Sequence, residues 1–132
     1  QTSLFTVVLY PQIDNPQIGA LRAAPLEDIN LITLLLPGSR SGLQTLDADG
    51  QWHDVPHDPG TITINTGDML SMASDHYFPS TTHRVVNPRP EENVSRYSMP
   101  MFLHPRPEVL LRSNMTANAY RLQRLEEIGL AG

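Results

Sequence analysis

Five histidines are the residues of this sequence best suited to bind a transition metal, because a chain without cysteine can hold a metal only through His, Asp or Glu. They are His53, His57, His76, His83 and His104. Pro56 forbids the helix that would place His53 and His57 on one face, so we interpret both as turn residues. His76 lies in a polar turn and His104 at the end of a predicted strand. Neither of these two has a ligand-like neighbour in the sequence.

His83 differs because it belongs to a longer motif, PSTTHRVVNP at 79–88, which is followed by RYSMP at 96–100. Further short motifs occur along the rest of the chain. They are Leu9-Tyr10-Pro11, Arg22-Ala23-Ala24, DINLITLL at 28–35, Gly42-Leu43-Gln44, Gly50-Gln51-Trp52, Pro59-Gly60, NTGDML at 65–70 and Pro100-Met101-Phe102. In order and spacing, these motifs resemble the isopenicillin N synthase-like iron(II)/2-oxoglutarate-dependent oxygenases over nearly the whole chain.

The resemblance implies a site for Fe(II) and the co-substrate 2-oxoglutarate. In this family two histidines and one carboxylate hold the iron, which leaves three positions for a bidentate 2-oxo acid and dioxygen. Carried onto this sequence, Asp28 and His83 are the expected metal ligands. Arg96 is expected to pair its planar guanidinium with the distal carboxylate of 2-oxoglutarate, and Ser98, on the same strand face, to add a hydroxyl donor. Tyr10 is expected to assist with a further hydrogen bond.

One position departs from the family pattern. The family's first metal motif is His-x-Asp, and here the triplet reads Leu26-Glu27-Asp28. On a strand Glu27 points to the face opposite its two neighbours, so it cannot easily replace the missing imidazole. With two protein ligands in place of three, metal affinity and geometry are both expected to suffer. Three accounts remain open: a natural pseudoenzyme, a substitution in an active enzyme, and rescue by another histidine such as His76.

The elements that would position these residues are short strands. Twelve prolines and eight glycines divide the chain into segments rich in Val, Ile, Leu, Thr and Tyr, which is typical of a compact all-β domain. We predict about eight strands, arranged as a double-stranded β-helix (jelly roll) as the resemblance implies. Their expected positions are 4–10, from 20, 29–36, 42–46, from 52, 61–65, 82–86 and 95–103. A turn at 66–68 leads into the segment 69–73.

Two of the predicted strands carry expectations about burial. Strand 4–10 is expected to be buried. The strict alternation at 61–65 places Ile62 and Ile64 on one face, which we expect to be the core face, and Thr61 and Thr63 on the other.

The end of the chain changes character. Thr116 can cap a helix of about 12 residues, which Gly129 would stop. Its apolar positions recur at roughly helical spacing: Tyr120, Leu122, Leu125 and Ile128. We therefore divide the chain into a jelly-roll core at 1–112, without the N-terminal region usual in the family, and a helical extension at 113–132.

Composition narrows the range of partners. The formal charge is -5 and only nine Lys and Arg are scattered along the chain, so no basic stripe exists for nucleic acid. No apolar run approaches the ~20 residues of a membrane span, and the first residues show no signal-peptide pattern. The lack of cysteine agrees with a cytoplasmic protein. Neither nucleic acid nor membrane is an expected partner.

The resulting hypothesis is an oxidoreductase core that couples decarboxylation of 2-oxoglutarate to hydroxylation, desaturation or ring closure of a small organic substrate. The alternative is a non-catalytic jelly-roll module that binds a small acid without metal or serves in assembly. Leu26 is the feature that favours this alternative.

Overall fold

The computed structural model describes residues 3–15, 17 and 19–130. Across these residues run twelve short strands: β1 Leu4–Phe5, β2 Val8–Tyr10, β3 Leu21–Leu26, β4 Ile32–Leu35, β5 Leu43–Leu46, β6 Trp52–Asp54, β7 Thr63–Thr66, β8 His83–Val86, β9 Arg96–Ser98, β10 Pro100–Leu103, β11 Leu110–Arg112 and β12 Met115–Thr116. Two α-helices, α1 Asp68–Ala73 and α2 Ala117–Glu127, and a 3-10 turn at Pro90–Glu92 complete the described elements.

Eight of these strands form two four-stranded antiparallel sheets. The first has the order β1-β10-β4-β7 and the second the order β3-β8-β5-β6. From β3 to β8 the chain alternates between the sheets, except that β5 and β6 form a hairpin within the second sheet. This alternation is the topology of a double-stranded β-helix. The predicted jelly roll with one main C-terminal helix is therefore confirmed, and the other four strands form the small pairs β2-β9 and β11-β12.

Three local predictions are corrected by the structure. The segment 4–10 is two short strands, and Leu4 and Leu9 are more than half exposed, so it is not a buried strand in this chain. The turn predicted at 66–68 is reduced to Gly67, because Thr66 ends β7 and Asp68 begins helix α1, which contains residues 69–73. His53 lies within β6 rather than in a turn.

The facing predicted for the strand around residue 64 is wrong. In the register of β4 with β7, Thr33 pairs with Asn65 and Leu34 with Ile64. Thr33 and Asn65 are buried, at 2% and 8% exposure, whereas Ile64 is 62% exposed; Ile62 is likewise exposed. The alternation of apolar and polar residues along a strand shows which side chains share a face, but it does not show which face is buried. Here the interior face carries polar side chains that belong to the candidate site described below.

This inverted pattern predicts unequal effects of two matched substitutions. Thr33→Val should lower the free energy of unfolding by about 1.5–3 kcal/mol, because it removes hydrogen bonds that include one to a carboxylate. Ile64→Thr should change it by about 1 kcal/mol or less, since the side chain is exposed. Urea unfolding of the two variants measures both values. A larger loss for Ile64→Thr than for Thr33→Val would contradict the register.

The C-terminal helix forms as predicted and packs against α1 and β11. The Thr116 hydroxyl accepts a hydrogen bond from the Ala119 amide at 3.1 Å, and Gly129, with φ of 76°, follows the helix. Met69, Leu111, Ala117 and Tyr120 form a buried apolar cluster that joins α2 to α1 and β11. Among the described residues no helix is long and apolar enough to cross a membrane. The division at residue 112 stays a prediction.

Candidate metal and co-substrate site

Asp28 and His83, the two predicted metal ligands, lie side by side. Leu26, the last residue of β3, pairs with His83, the first residue of β8. Asp28 lies two residues after Leu26, just past the end of β3. Asp28 Oδ1 lies 3.7 Å from His83 Nε2, and both side chains are largely buried. The structure therefore brings together one carboxylate and one imidazole as the sequence predicted.

Hydrogen bonds hold both groups in forms that can bind a metal. The Thr33 hydroxyl donates to Asp28 Oδ2 at 2.6 Å and accepts from Asn30 Nδ2 at 3.0 Å, which directs Oδ1 towards His83. His83 Nδ1 lies 3.0 Å from the carbonyl oxygen of Thr81. A carbonyl only accepts, so Nδ1 carries the proton and the lone pair of Nε2 is left for a metal.

Leu26 supplies no ligand, and no other residue of the described chain takes its place. Glu27 is held away by the Thr82 hydroxyl, which donates to Glu27 Oε1 at 2.8 Å. His76 lies in the turn after α1, with Nδ1 2.9 Å from the Ser71 hydroxyl. Within 3–15, 17 and 19–130, no three His, Asp or Glu side chains converge on a possible metal site. The structure therefore does not support rescue by His76. Asp28 and His83 supply two of the three protein ligands that the family uses for iron, and the third position is Leu26.

The predicted co-substrate residues also lie in the interior. Arg96 and Ser98 are buried, at 4% and 8% exposure, and alternate to the same face of β9. Tyr10 is the partner of Arg96 across the β2-β9 pair, and the Arg96 guanidinium carbon lies 5.3 Å from the centre of the Tyr10 ring. The three residues are thus adjacent, as the resemblance implied.

Arg96 has the features of an anion-binding residue. Its Nε donates to the carbonyl oxygen of Arg40 at 3.1 Å, while Nη1 is buried without a hydrogen-bond partner in the described part of the chain. Burial lowers the pKa of Arg96, and none of the ion pairs among the described residues includes it. A buried cation with an unused donor is costly unless a ligand pairs with it. The carboxylate of 2-oxoglutarate fits this requirement.

A large cleft opens beside Asp28, one of the two candidate metal ligands. It has a volume of about 910 Å³ and is lined by Leu26, Asp28 and Phe102 together with side chains of α2. Neither this cleft nor the part of Thr33 in the site was predicted from the sequence. Thr33 could have been noticed as the single polar residue within the apolar run 31–36, whereas the cleft depends on how α2 packs.

The chain belongs to the 2OG-Fe(II) oxygenase superfamily, whose family model matches residues 2–105. The resemblance inferred from the motifs is therefore confirmed. Over 104 residues the chain is 36% identical to a 2-oxoglutarate-dependent dioxygenase of Didymella fabae, a match that covers 77% of this chain and 27% of that protein.

Solved structures agree with this assignment. A protein of Shewanella oneidensis described as a candidate oxygenase is 50% identical, with a TM-score of 0.86 over 98% of this chain and 48% of that one. A full-length Neurospora crassa protein in complex with alpha-KG is 31% identical, with a TM-score of 0.81 over 94% of this chain and 44% of that one. The chain thus spans about a quarter of the curated relative and about half of each solved chain.

Proposed function

We propose that this chain is the iron- and 2-oxoglutarate-binding core of an oxygenase that couples decarboxylation of 2-oxoglutarate to oxidation of a small organic substrate. The observation that carries the proposal is the pair Asp28 and His83, whose free atoms face each other while their other atoms are held by hydrogen bonds. Relatives support the substrate class, since the full-length Neurospora crassa protein was also solved with alpha-KG and thymine.

Each residue has a defined part in this proposal. Asp28 Oδ1 and His83 Nε2 hold Fe(II), which when bound supplies the activation of dioxygen. Arg96 Nη1 and the Ser98 hydroxyl bind the distal carboxylate of 2-oxoglutarate. Tyr10 packs against the guanidinium and limits its movement. Thr33 orients the carboxylate, and the Thr81 carbonyl fixes the proton of the imidazole on Nδ1.

Leu26 weakens the iron site without altering the rest of it. Its side chain stands next to His83 in the strand register and offers only hydrocarbon. Thr33, Arg96 and Ser98 are polar residues buried in the interior, which supports a site for a metal and a dicarboxylate. We therefore propose an oxygenase site that lacks one ligand, in preference to a module built for another purpose. A chelating co-substrate should then contribute more to iron retention than it does in a complete site.

Iron stoichiometry after anaerobic reconstitution tests the proposal. With Fe(II) alone the chain should retain little iron, and adding 2-oxoglutarate should raise the retained iron at least fivefold, because the co-substrate adds two donors. His83→Ala should abolish the increase. His57→Ala, an exposed histidine in a loop, is the matched control and should leave it unchanged.

If neither iron nor 2-oxoglutarate binds to the folded chain, the oxygenase proposal fails and the non-catalytic module replaces it. If iron binds but His83→Ala retains it equally, the family assignment of the ligand is wrong.

A further inference from the structure

The wall of the 910 Å³ cleft is largely apolar. Hydrocarbon surface comes from the end of β3, from β10 and from one side of α2. The apolar residues that line the cleft are Leu4, Pro25, Leu26, Ile29, Phe102, Leu125 and Ile128. Leu26 is 46% exposed, although it lies next to the largely buried His83 in the register of β3 and β8. An apolar ligand that covers this surface would be stabilised by removing it from water.

Arg121 and His104 are two of the polar side chains in this wall, and both contain buried atoms without hydrogen-bond partners among the described residues. Arg121 on α2 and His104, directly after β10, line the cleft together and also share a narrow neighbouring cavity. Within the described residues, Arg121 Nε and His104 Nδ1 are buried and have no hydrogen-bond partner. Burial lowers the pKa of His104, and the charge of Arg121 lowers it further. The imidazole is therefore neutral near pH 7 and offers one N–H.

Arg121 differs from the other arginine in the cleft. Arg124 is paired with Glu127 at 2.5 Å and lies 3.7 Å from Asp68. Arg121 has a single side-chain hydrogen bond, from Nη2 to Asn118 Oδ1 at 3.3 Å, and no carboxylate within ion-pair distance among the described residues. A guanidinium without a counter-charge in an apolar cleft is a binding group for an anion, and its fork matches a carboxylate.

The acidic residues of the cleft are already engaged elsewhere. Asp28 faces His83 and accepts from Thr33, and Glu27 accepts from Thr82. Asp28 is also a candidate metal ligand, so the cleft reaches the candidate metal site. The lining of the cleft therefore combines the carboxylate of Asp28, the guanidinium of Arg121 on α2 and a larger apolar surface.

We propose that the cleft binds the primary substrate and that this substrate is an apolar molecule with one carboxylate, which Arg121 and His104 bind while the hydrocarbon extends along Leu26 and Phe102 towards Asp28. This inference rests on the proposed oxygenase function, since it names the substrate class of that same site. The carboxylate subsite on α2 is separate from the co-substrate residues Arg96 and Ser98.

Two probes of equal hydrocarbon content test the inference, 3-phenylpropionate and 3-phenylpropan-1-ol. Their dissociation constants are measured by ligand-observed NMR in the presence of saturating 2-oxoglutarate, and again with Arg96→Leu. The acid should bind at least tenfold more tightly than the alcohol in both proteins. Arg121→Met should reduce the affinity for the acid to that for the alcohol, and 2-oxoglutarate should bind to this variant as it does to the parent.

Two further variants control for folding and for loss of charge. Arg106→Met removes an exposed arginine that pairs with Glu108, and it should leave the preference for the acid unchanged. Arg121→Lys keeps the charge without the planar fork and should retain part of the preference. Circular dichroism of each variant shows whether it is folded.

Equal affinity for acid and alcohol, or binding of neither probe, would overturn the inference. So would a preference for the acid that survives Arg121→Met and disappears with Arg96→Leu, because the acid would then occupy the co-substrate site. If the parent prefers the acid through Arg121 but does not bind 2-oxoglutarate, the carboxylate subsite stands and the co-substrate assignment fails.

Discussion

Leu26→His should raise the iron bound after anaerobic reconstitution from a small fraction to about one equivalent per chain, because it completes a set of three protein ligands. The new imidazole would stand beside His83 in the strand register, with Asp28 two residues further on. Its effect should be largest without 2-oxoglutarate, when the parent depends on two ligands alone. Iron analysis after desalting measures the difference.

The same variant should gain turnover. Conversion of 2-oxoglutarate to succinate without the primary substrate should rise at least tenfold over the parent, as the completed ligand set fixes the geometry of the metal. The double variant Leu26→His with His83→Ala has two ligands again and should lose the gain. A folded Leu26→His variant that binds no more iron than the parent would show that position 26 does not face the metal site.

Arg96→Leu should weaken binding of 2-oxoglutarate by more than tenfold, since a charge-assisted bidentate pair contributes about 1.5–3 kcal/mol. The loss of affinity should exceed the loss on removing an exposed arginine, because Arg96 is buried and its Nη1 has no other partner among the described residues. Isothermal titration calorimetry of the Fe(II)-loaded or metal-free chain measures the affinity.

Arg84→Leu is the matched control for this prediction. Arg84 lies on β8 next to His83 but points to the opposite face, where it stacks on Trp52 and donates to Gln44. Removing it should leave the affinity for 2-oxoglutarate unchanged. An equal loss in both variants would mean that net charge, rather than the position of Arg96, governs binding.

Much of the fold follows from local signals in the sequence. The strands on either side of residues 47–50 appear where expected, and Thr116 and Gly129 bound the C-terminal helix. The facing of β7 could not be read from its own alternation, because Ile62 and Ile64 look like core residues and are exposed. The interior is polar at this point owing to Thr33 and Asn65, which depends on a register between distant strands.

The candidate site, like the fold, was predictable where sequence motifs mark its residues and not where distant segments come into contact. Motifs in family order placed Asp28, His83 and Arg96, and the structure brings the first two together. The hydrogen bonds of Thr33 and the Thr81 carbonyl follow from backbone geometry that no motif encodes. Arg121 and His104 line the same cleft and the same narrow cavity, although they lie in segments of the sequence that show no shared pattern.

A crystal structure of the chain grown anaerobically with Mn(II) and 2-oxoglutarate tests the central claim most directly, because anomalous scattering locates the metal. The account predicts one metal bound by Asp28 Oδ1 and His83 Nε2, with 2-oxoglutarate chelating it and the distal carboxylate on Arg96. Leu26 should contact neither metal nor co-substrate through a polar atom. A metal bound elsewhere, or 2-oxoglutarate bound away from Arg96, would contradict the account.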